Sequence, residues 1–314
     1  MEKLIDLKSY PVNVVLNRLL QDKSTKKNII FATDAYSEDN PDITATTPIT
    51  EKLLLKIESD IQPRVLKSQE QQAMRTRKKA EVFTPSWICN KMNNHCDEEW
   101  FGCTGIFNTE TEQDWIVNTG LIPFRKHRAW RQYVDSTRLE ITCGEAPYLV
   151  SRYDAATGEL IPIERRIGIL DRKLRVVKEN TESEEEWLKW VKHAYQSVYG
   201  YEFQGDNLLI ARINLLVTFV DYMQDKWNKV PSEDELKSIA NIIAWNIWQM
   251  DGIKGVVPFG TEEKVIEEYH QMALFDLIDI TEENEKKKGN EHIECMIHDW
   301  RKRKSFTYNS MRKG

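Results

Sequence analysis

The sequence predicts an α/β fold, a parallel sheet with crossover helices, carried behind a helical N-terminal extension. Three observations predict it. From Tyr133 onward, short β-type runs alternate with amphipathic helices, the pattern of strands joined through helical crossovers and not through hairpins. Before residue 79 the apolar residues fall instead at helical spacing, with no strand-like alternation. Finally, 314 residues exceed what one small domain needs and leave room for an α/β unit of roughly 200 residues beside an extension. The expected organisation is a helical extension over 1–78 and an α/β domain over 79–314.

In the extension, Val14, Val15, Leu16, Leu19 and Leu20 mark a first helix, followed by a polar, proline-containing stretch near 36–50. Thr50 to Gln72 is again helical in spacing, through Leu53, Leu54, Ile57 and Ile61. Pro63 should kink or interrupt it, since proline lacks the amide that the helix needs. Beyond Tyr133, Arg138 to Cys143 reads as a first strand, Val198 to Phe203 as a second, Trp245 to Asp251 as a third and Ile293 to Trp300 as a fourth. Helices are expected over Arg165 to Lys178, Glu184 to Tyr199 and Asn207 to Trp227, and from Pro231, where Ser232 and Glu235 have capping-box spacing. Thr281 to Asn290 is charged and of low complexity, which predicts a surface loop.

Composition narrows the function classes. With 40% hydrophobic and 30% charged residues, no apolar run approaches the roughly 20 residues of a membrane span. The N-terminus interleaves acids with its apolar residues and has no small-residue cleavage site, so no membrane association and a cytoplasmic location are expected. Five cysteines, odd in number and without a C-x-x-C pair, predict free thiols. Cys89, His95, Cys96 and Cys103 lie close in sequence, but their spacing matches no usual zinc pattern, and no metal is expected. The net charge of −6 leaves nucleic-acid contact to local basic clusters. There are three: Arg75, Arg77, Lys78 and Lys79; Arg125, Lys126, His127, Arg128 and Arg131 around Trp130; and Arg301 to Lys304. Neither a G-x-S-x-G elbow, an H-E-x-x-H pair nor a G-x-x-x-x-G-K-[ST] phosphate loop is present.

Four segments, in order, carry a family resemblance. Lys79-Ala80-Glu81-Val82-Phe83-Thr84-Pro85 resembles the motif that precedes the first strand of adenine-specific DNA methyltransferases of restriction-modification systems. Glu140-Ile141-Thr142-Cys143-Gly144-Glu145-Ala146-Pro147-Tyr148-Leu149 is similar to that family's D-P-A-C-G-S-G-x-F-L turn, with Glu140 for Asp and Ala146 for the second glycine. Tyr199 to Leu215 resembles its G-x-E segment, and Asn246 to Gly252 its N-I-x-x-G-D segment. The resemblance implies a Rossmann-like, S-adenosylmethionine-dependent methyltransferase fold and cytoplasmic action on DNA in modification or phage defence. A further protein subunit would supply target recognition.

The same resemblance implies roles for individual residues. Phe83, Thr84 and Pro85 would wall the cofactor pocket; Glu140, Cys143 and Gly144 would form the loop around the methionine moiety. Glu202, beside Phe203, would accept both ribose hydroxyls, because two carboxylate oxygens match two neighbouring O–H donors. Asp251, with Gly252, would accept from the adenine amino group. For catalysis, Asp299 and Trp300 stand where the family has an acid or amide, two prolines and an aromatic that holds the flipped base; here both prolines are missing. Two readings follow: a DNA adenine methyltransferase or a subunit of one, and a methyltransferase-like binding or regulatory protein without transfer chemistry. On either, Glu140, Glu202 and Asp251 are expected to converge on one crevice. An alanine at 146 is expected to resist positive φ and narrow the loop.

Overall fold

A computed structural model describes residues 3–37, 40–57, 61–79, 84–124, 129–260 and 293–312. Among these the fold is mixed α/β. Its centre is a three-stranded parallel sheet of β3 (Arg138–Glu140), β4 (Val198–Glu202) and β5 (Ile247–Gln249), in that spatial order. Arg138 pairs with Val198, and Gly200 with Ile247. Between β3 and β4 the chain passes through α6 (Ile169–Asn180) and α7 (Glu184–Gln196), and between β4 and β5 through α8 (Gly205–Trp227) and α9 (Glu233–Asn246). These are the helical crossovers that parallel strands require.

Local chemistry sets the boundaries. Ser183 caps α7 by accepting from the Glu186 amide, and Ser232 with Glu235 forms the expected capping box on α9. Helix α7 stops at Gln196, three residues short of the expected end, because the Ser197 hydroxyl turns to the carbonyls of Val134 and Ala194 and the chain enters β4. Trp245 and Asn246 complete α9 and so shorten the third strand. Helix α8 is buried along nearly its whole length, as a helix that is apolar on most faces must be.

The N-terminal residues join the same core. Helix α1 (Val12–Leu19) packs Val12, Val15, Leu16 and Leu19 against α8 and α9, within one apolar cluster that continues to Ile247. Helix α2 (Glu51–Lys56) is capped by Thr50 and ends well before Pro63, after which α3 (Gln69–Lys79) begins. Asp206, at the start of α8, ties α3 down through buried Arg75, Lys67 and Tyr36. Burial alone would raise the Asp206 carboxyl, but the two cations beside it hold it down at about 2.

Segments that the sequence left unassigned form α4 (Ser86–Phe101), the antiparallel hairpin of β1 (Asn108–Glu110) and β2 (Trp115–Val117), and α5 (Ala129–Asp135). Helix α4 is fixed to α6 by a buried network: Arg172 bonds Asp97, Asn90 and the Ile167 carbonyl, and Tyr133 donates to Asp97 at 2.9 Å.

The fourth expected strand departs from the sequence reading. β6 (Met296–Asp299) forms an antiparallel hairpin with β7 (Lys304–Thr307) and does not join the parallel sheet; α10 (Tyr308–Arg312) follows. The reason is local. Asp299 Oδ1 accepts from the amides of Arg301 and Lys302, and Arg303 takes a left-handed φ of 52°, so a tight turn reverses the chain at once. The expected loop from Thr281 to Asn290 lies outside the described residues.

Candidate cofactor-binding cleft

Parallel strands present their carboxyl ends to one side of a sheet, where crossovers leave room for a ligand. At that end of β3 and β4 lies a cleft of about 820 Å³. Thr84, Glu140, Cys143, Gly144, Glu202 and Phe203 all line it, joined by Asn93 and Cys96 of α4, Tyr148, and Gln204 with Asn207 at the start of α8.

The floor is a strained loop. Thr142, Gly144 and Ala146 have φ of 47°, 53° and 64°, so three residues in five lie in the left-handed region, which costs a non-glycine residue about 1–2 kcal/mol. Ala146 thus adopts the conformation that its methyl was expected to resist. Surrounding bonds impose it: Ala146 N–H donates to the Cys143 carbonyl at 2.7 Å, and the Ala146 carbonyl accepts from Leu149 and Val150. Asn214 of α8 holds the adjacent Glu145 carbonyl at 3.0 Å. Strain persists only where neighbours over-determine the backbone, and such places are commonly ligand clamps.

Two carboxylates face each other across this loop. Glu140, at the end of β3, accepts from the amides of Tyr148 (3.4 Å) and Leu149 (3.1 Å). Burial pushes its carboxyl up to about 8, against those amide bonds, with the nearby Glu202 adding to the rise. Glu202, at the end of β4, accepts from Gly144 N–H at 2.9 Å and Gln204 N–H at 3.1 Å, and burial raises its carboxyl too. It therefore staples the glycine loop to the β4–α8 turn. A carboxylate offers about four acceptor sites, so beside the amides of Gly144, Gln204 and Phe203 it keeps room for a ligand hydroxyl. Cys143 is buried and its thiol is raised, by burial and then by the two glutamates, which leaves it a neutral packing group and not a nucleophile.

The wall opposite the loop comes from α4, which the sequence did not assign. Pro85 stands at its N-cap position, so Thr84 enters the cleft as the residue just before the helix. Asn93 donates to the Tyr148 and Ile167 carbonyls, both at 3.0 Å, and thereby holds the far side of the loop. The sequence carries the asparagines at 90 and 93 close behind Thr-Pro, but their burial shows only in the fold.

The remaining residues of interest lie elsewhere. Phe83 falls outside the described residues. Asp251 and Gly252 do not line the cleft. Asp251 Oδ1 accepts from the Ile253 and Lys254 amides of its own turn, and Gly252 sits against the Tyr201 ring. At the end of β5, Gln249 bonds both backbone groups of Ile30 and the Phe203 carbonyl. Two of the three expected carboxylates therefore meet in the crevice.

Asp299 and Trp300 line a different hollow, a groove of about 880 Å³ on the other side of Leu139. Trp300 Nε1 donates to Asn246 at 2.8 Å, and the Asp299 carboxyl is held low by the Lys302 amide first, against burial, with the Arg301 amide adding to it.

Among the described residues, no three His, Cys, Asp or Glu side chains gather to hold a metal, and no helix is long and apolar enough to cross a membrane. All five cysteines are free thiols. Of the basic clusters, Arg75 points inward to Asp206, and Arg131 packs on Trp130 and Trp190 while pairing with Glu186 at 3.1 Å. Arg301 to Lys304 are exposed, whereas Arg125 to Arg128 lie outside the described residues. Comparison with protein-family models, characterised proteins and solved structures returns no match for this chain.

Proposed function

We propose that this chain is the cofactor-binding component of an S-adenosylmethionine-dependent DNA adenine methyltransferase with a Rossmann-like fold, acting in a restriction-modification or phage-defence system. The observation that supports it is the meeting of Thr84, Glu140, Cys143, Gly144, Glu202 and Phe203 in one cleft at the carboxyl ends of two adjacent parallel strands. On this reading Glu140 offsets the methionine ammonium, Gly144 lets backbone approach the ligand, and Glu202 accepts from the ribose. The sulfonium methyl is intrinsically electrophilic, so this chain's residues need only position it and accept a hydrogen bond from the target amine. DNA would be approached through the exposed Arg301 to Lys304 cluster, with target recognition from a further subunit.

A second reading is a methyltransferase-like binding or regulatory protein with no transfer chemistry of its own. It is favoured by one observation: Asp299 and Trp300 line the groove and not the cleft, each already bonded within the chain. Calorimetry with S-adenosylmethionine, followed by methyl incorporation into adenine-containing DNA, separates the two. Saturable binding with incorporation that Asp299→Ala abolishes supports the transferase. Binding without incorporation supports the regulatory protein, and failure to bind removes both.

A further inference from the structure

Away from both hollows, a small recess of about 20 Å³ is bordered by Arg166, Asp171, Arg172, Arg175 and Tyr222, beside the start of α6. Two charged side chains meet there without touching. Asp171 is 1% exposed and the Arg166 side chain 9%. Asp171 Oδ2 is fully used: it accepts from the Ser151 amide at 2.8 Å, the Ser151 hydroxyl at 3.1 Å and the Gly168 amide at 3.2 Å. Asp171 Oδ1 is also buried and takes no hydrogen bond among the described residues. Arg166 donates from Nη2 to Asp221 at 2.6 Å and from Nε to the Ile161 carbonyl at 3.4 Å, while its Nη1 is buried and donates to nothing among the described residues. Arg166 pairs with Asp221 and not with Asp171, yet it is the first of the groups that oppose the rise burial imposes on the Asp171 carboxyl. An orphaned donor and an orphaned acceptor thus belong to residues on one recess, not bonded to each other but close enough to feel each other's charge.

We propose that this recess is a built site for one water molecule, which accepts from Arg166 Nη1 and donates to Asp171 Oδ1, and that through this water Arg166 positions the loop of the cleft. Three features select the occupant. A space of about 20 Å³ suits a single water and little more. One oxygen that both accepts and donates answers an arginine N–H and a carboxylate oxygen together; an anion would meet Asp171, and a metal cation would meet Arg166, Arg172 and Arg175. Tyr222, whose hydroxyl donates to the Asp171 carbonyl at 3.1 Å, borders the same recess and offers a third polar neighbour, the number that a buried water commonly keeps. The consequence reaches the cleft by a short path. Without the water, Asp171 Oδ1 is a buried acceptor with nothing to accept. With it the carboxylate is held at both oxygens, and Oδ2 fixes Ser151. Ser151 follows the loop whose Tyr148 and Leu149 amides bond Glu140, and the Ile169 and Leu170 amides of α6 take the carbonyls of those same two residues. Arg166 is therefore a positioning residue, whatever ligand the cleft takes.

Two measurements on the full chain test this. A high-resolution crystal structure should show one solvent peak in the recess, within about 3.2 Å of both Arg166 Nη1 and Asp171 Oδ1, and crystals soaked in bromide should give no anomalous signal there. Native-state amide exchange reads the loop. Arg166→Met removes the donor and should speed exchange at Tyr148, Leu149 and Ser151 by about tenfold or more beyond any change in α9. Asp221→Asn takes away the direct partner of Arg166 and leaves the water its contacts, so those three amides should exchange as in the wild type. The proposal is overturned if the recess is empty, holds bromide, or closes into a direct bond between Arg166 and Asp171, results that need no variant to fold. It is equally overturned if Arg166→Met leaves the three amides unchanged, or if Asp221→Asn frees them as much.

Discussion

The two hollows that share Leu139 are nearly equal in size, about 820 and 880 Å³, and differently built. The cleft is built from strand ends. Its carboxylates are held by backbone amides, its loop is forced into left-handed conformations, and its walls are buried polar networks that leave little freedom. The groove is built from side chains laid on a sheet face, with aromatics beneath and cations on the rim. Volume does not distinguish them. Preorganised polar groups aimed at one point suit a small, specific ligand, whereas an apolar trough with a charged rim suits a polymer.

The largest expected effect lies under the cleft. Asp206→Ala leaves Arg75 and Lys67 buried without their shared carboxylate, which should cost about 3–5 kcal/mol in urea unfolding. A loss below about 1 kcal/mol would show that this support is dispensable. Next comes Glu202→Ala, which strips the acceptor from Gly144 and Gln204. A stability loss of about 1–3 kcal/mol is expected, with S-adenosylmethionine affinity reduced at least about tenfold in calorimetry. Unchanged affinity would mean that Glu202 only staples the loop.

Glu140 sharpens the contrast through pH. Its carboxyl is raised to about 8 from an ordinary 4.5, so the folded state keeps a proton that the unfolded chain has released. Its contribution to stability therefore falls as pH climbs between those two values and levels off above about 8. A cationic ligand favours the ionised form, so wild-type affinity should rise with pH up to about 8 with proton release, and Glu140→Gln should flatten that part of the profile. Parallel profiles for the two proteins would show that no cation pairs there. Gly144→Ala is a smaller change: at φ of 53° a methyl costs about 1 kcal/mol, and the loss should appear in ligand affinity more than in melting temperature. The smallest effect is expected in the groove. Asp299→Ala removes the acceptor of a surface turn, for about 0.5 kcal/mol or less, and should leave cofactor affinity unchanged; a clear drop would join the two hollows into one site.

Several elements were legible from residue pattern alone. The parallel strands at Arg138, Val198 and Ile247, the crossover helices and the Ser232 capping box follow from periodicity and cap chemistry, which act over a few residues. Pro63 is not what ends α2, which stops at Lys56 with Ile57 as its C-cap. Less was legible for the segment between Ser86 and Asp135. Its helix has polar residues on its buried face, because Asn90 and Asp97 bond Arg172 and Asn93 bonds the Tyr148 and Ile167 carbonyls, partners that only three-dimensional proximity reveals.

By itself, then, the sequence determined which carboxylates and glycine stand at which strand ends, because strand and turn formation are local matters. Tertiary structure decided which of them share a space. Glu140 and Glu202 meet because their strands are neighbours in register, while Asp251 is spent on its own turn. Asp299 is carried to the far side of Leu139 by a hairpin whose docking depends on Tyr199, Asn246 and Asp135. Those partners lie 54 to 166 residues away, a separation over which spacing in the chain carries no information about spacing in the fold.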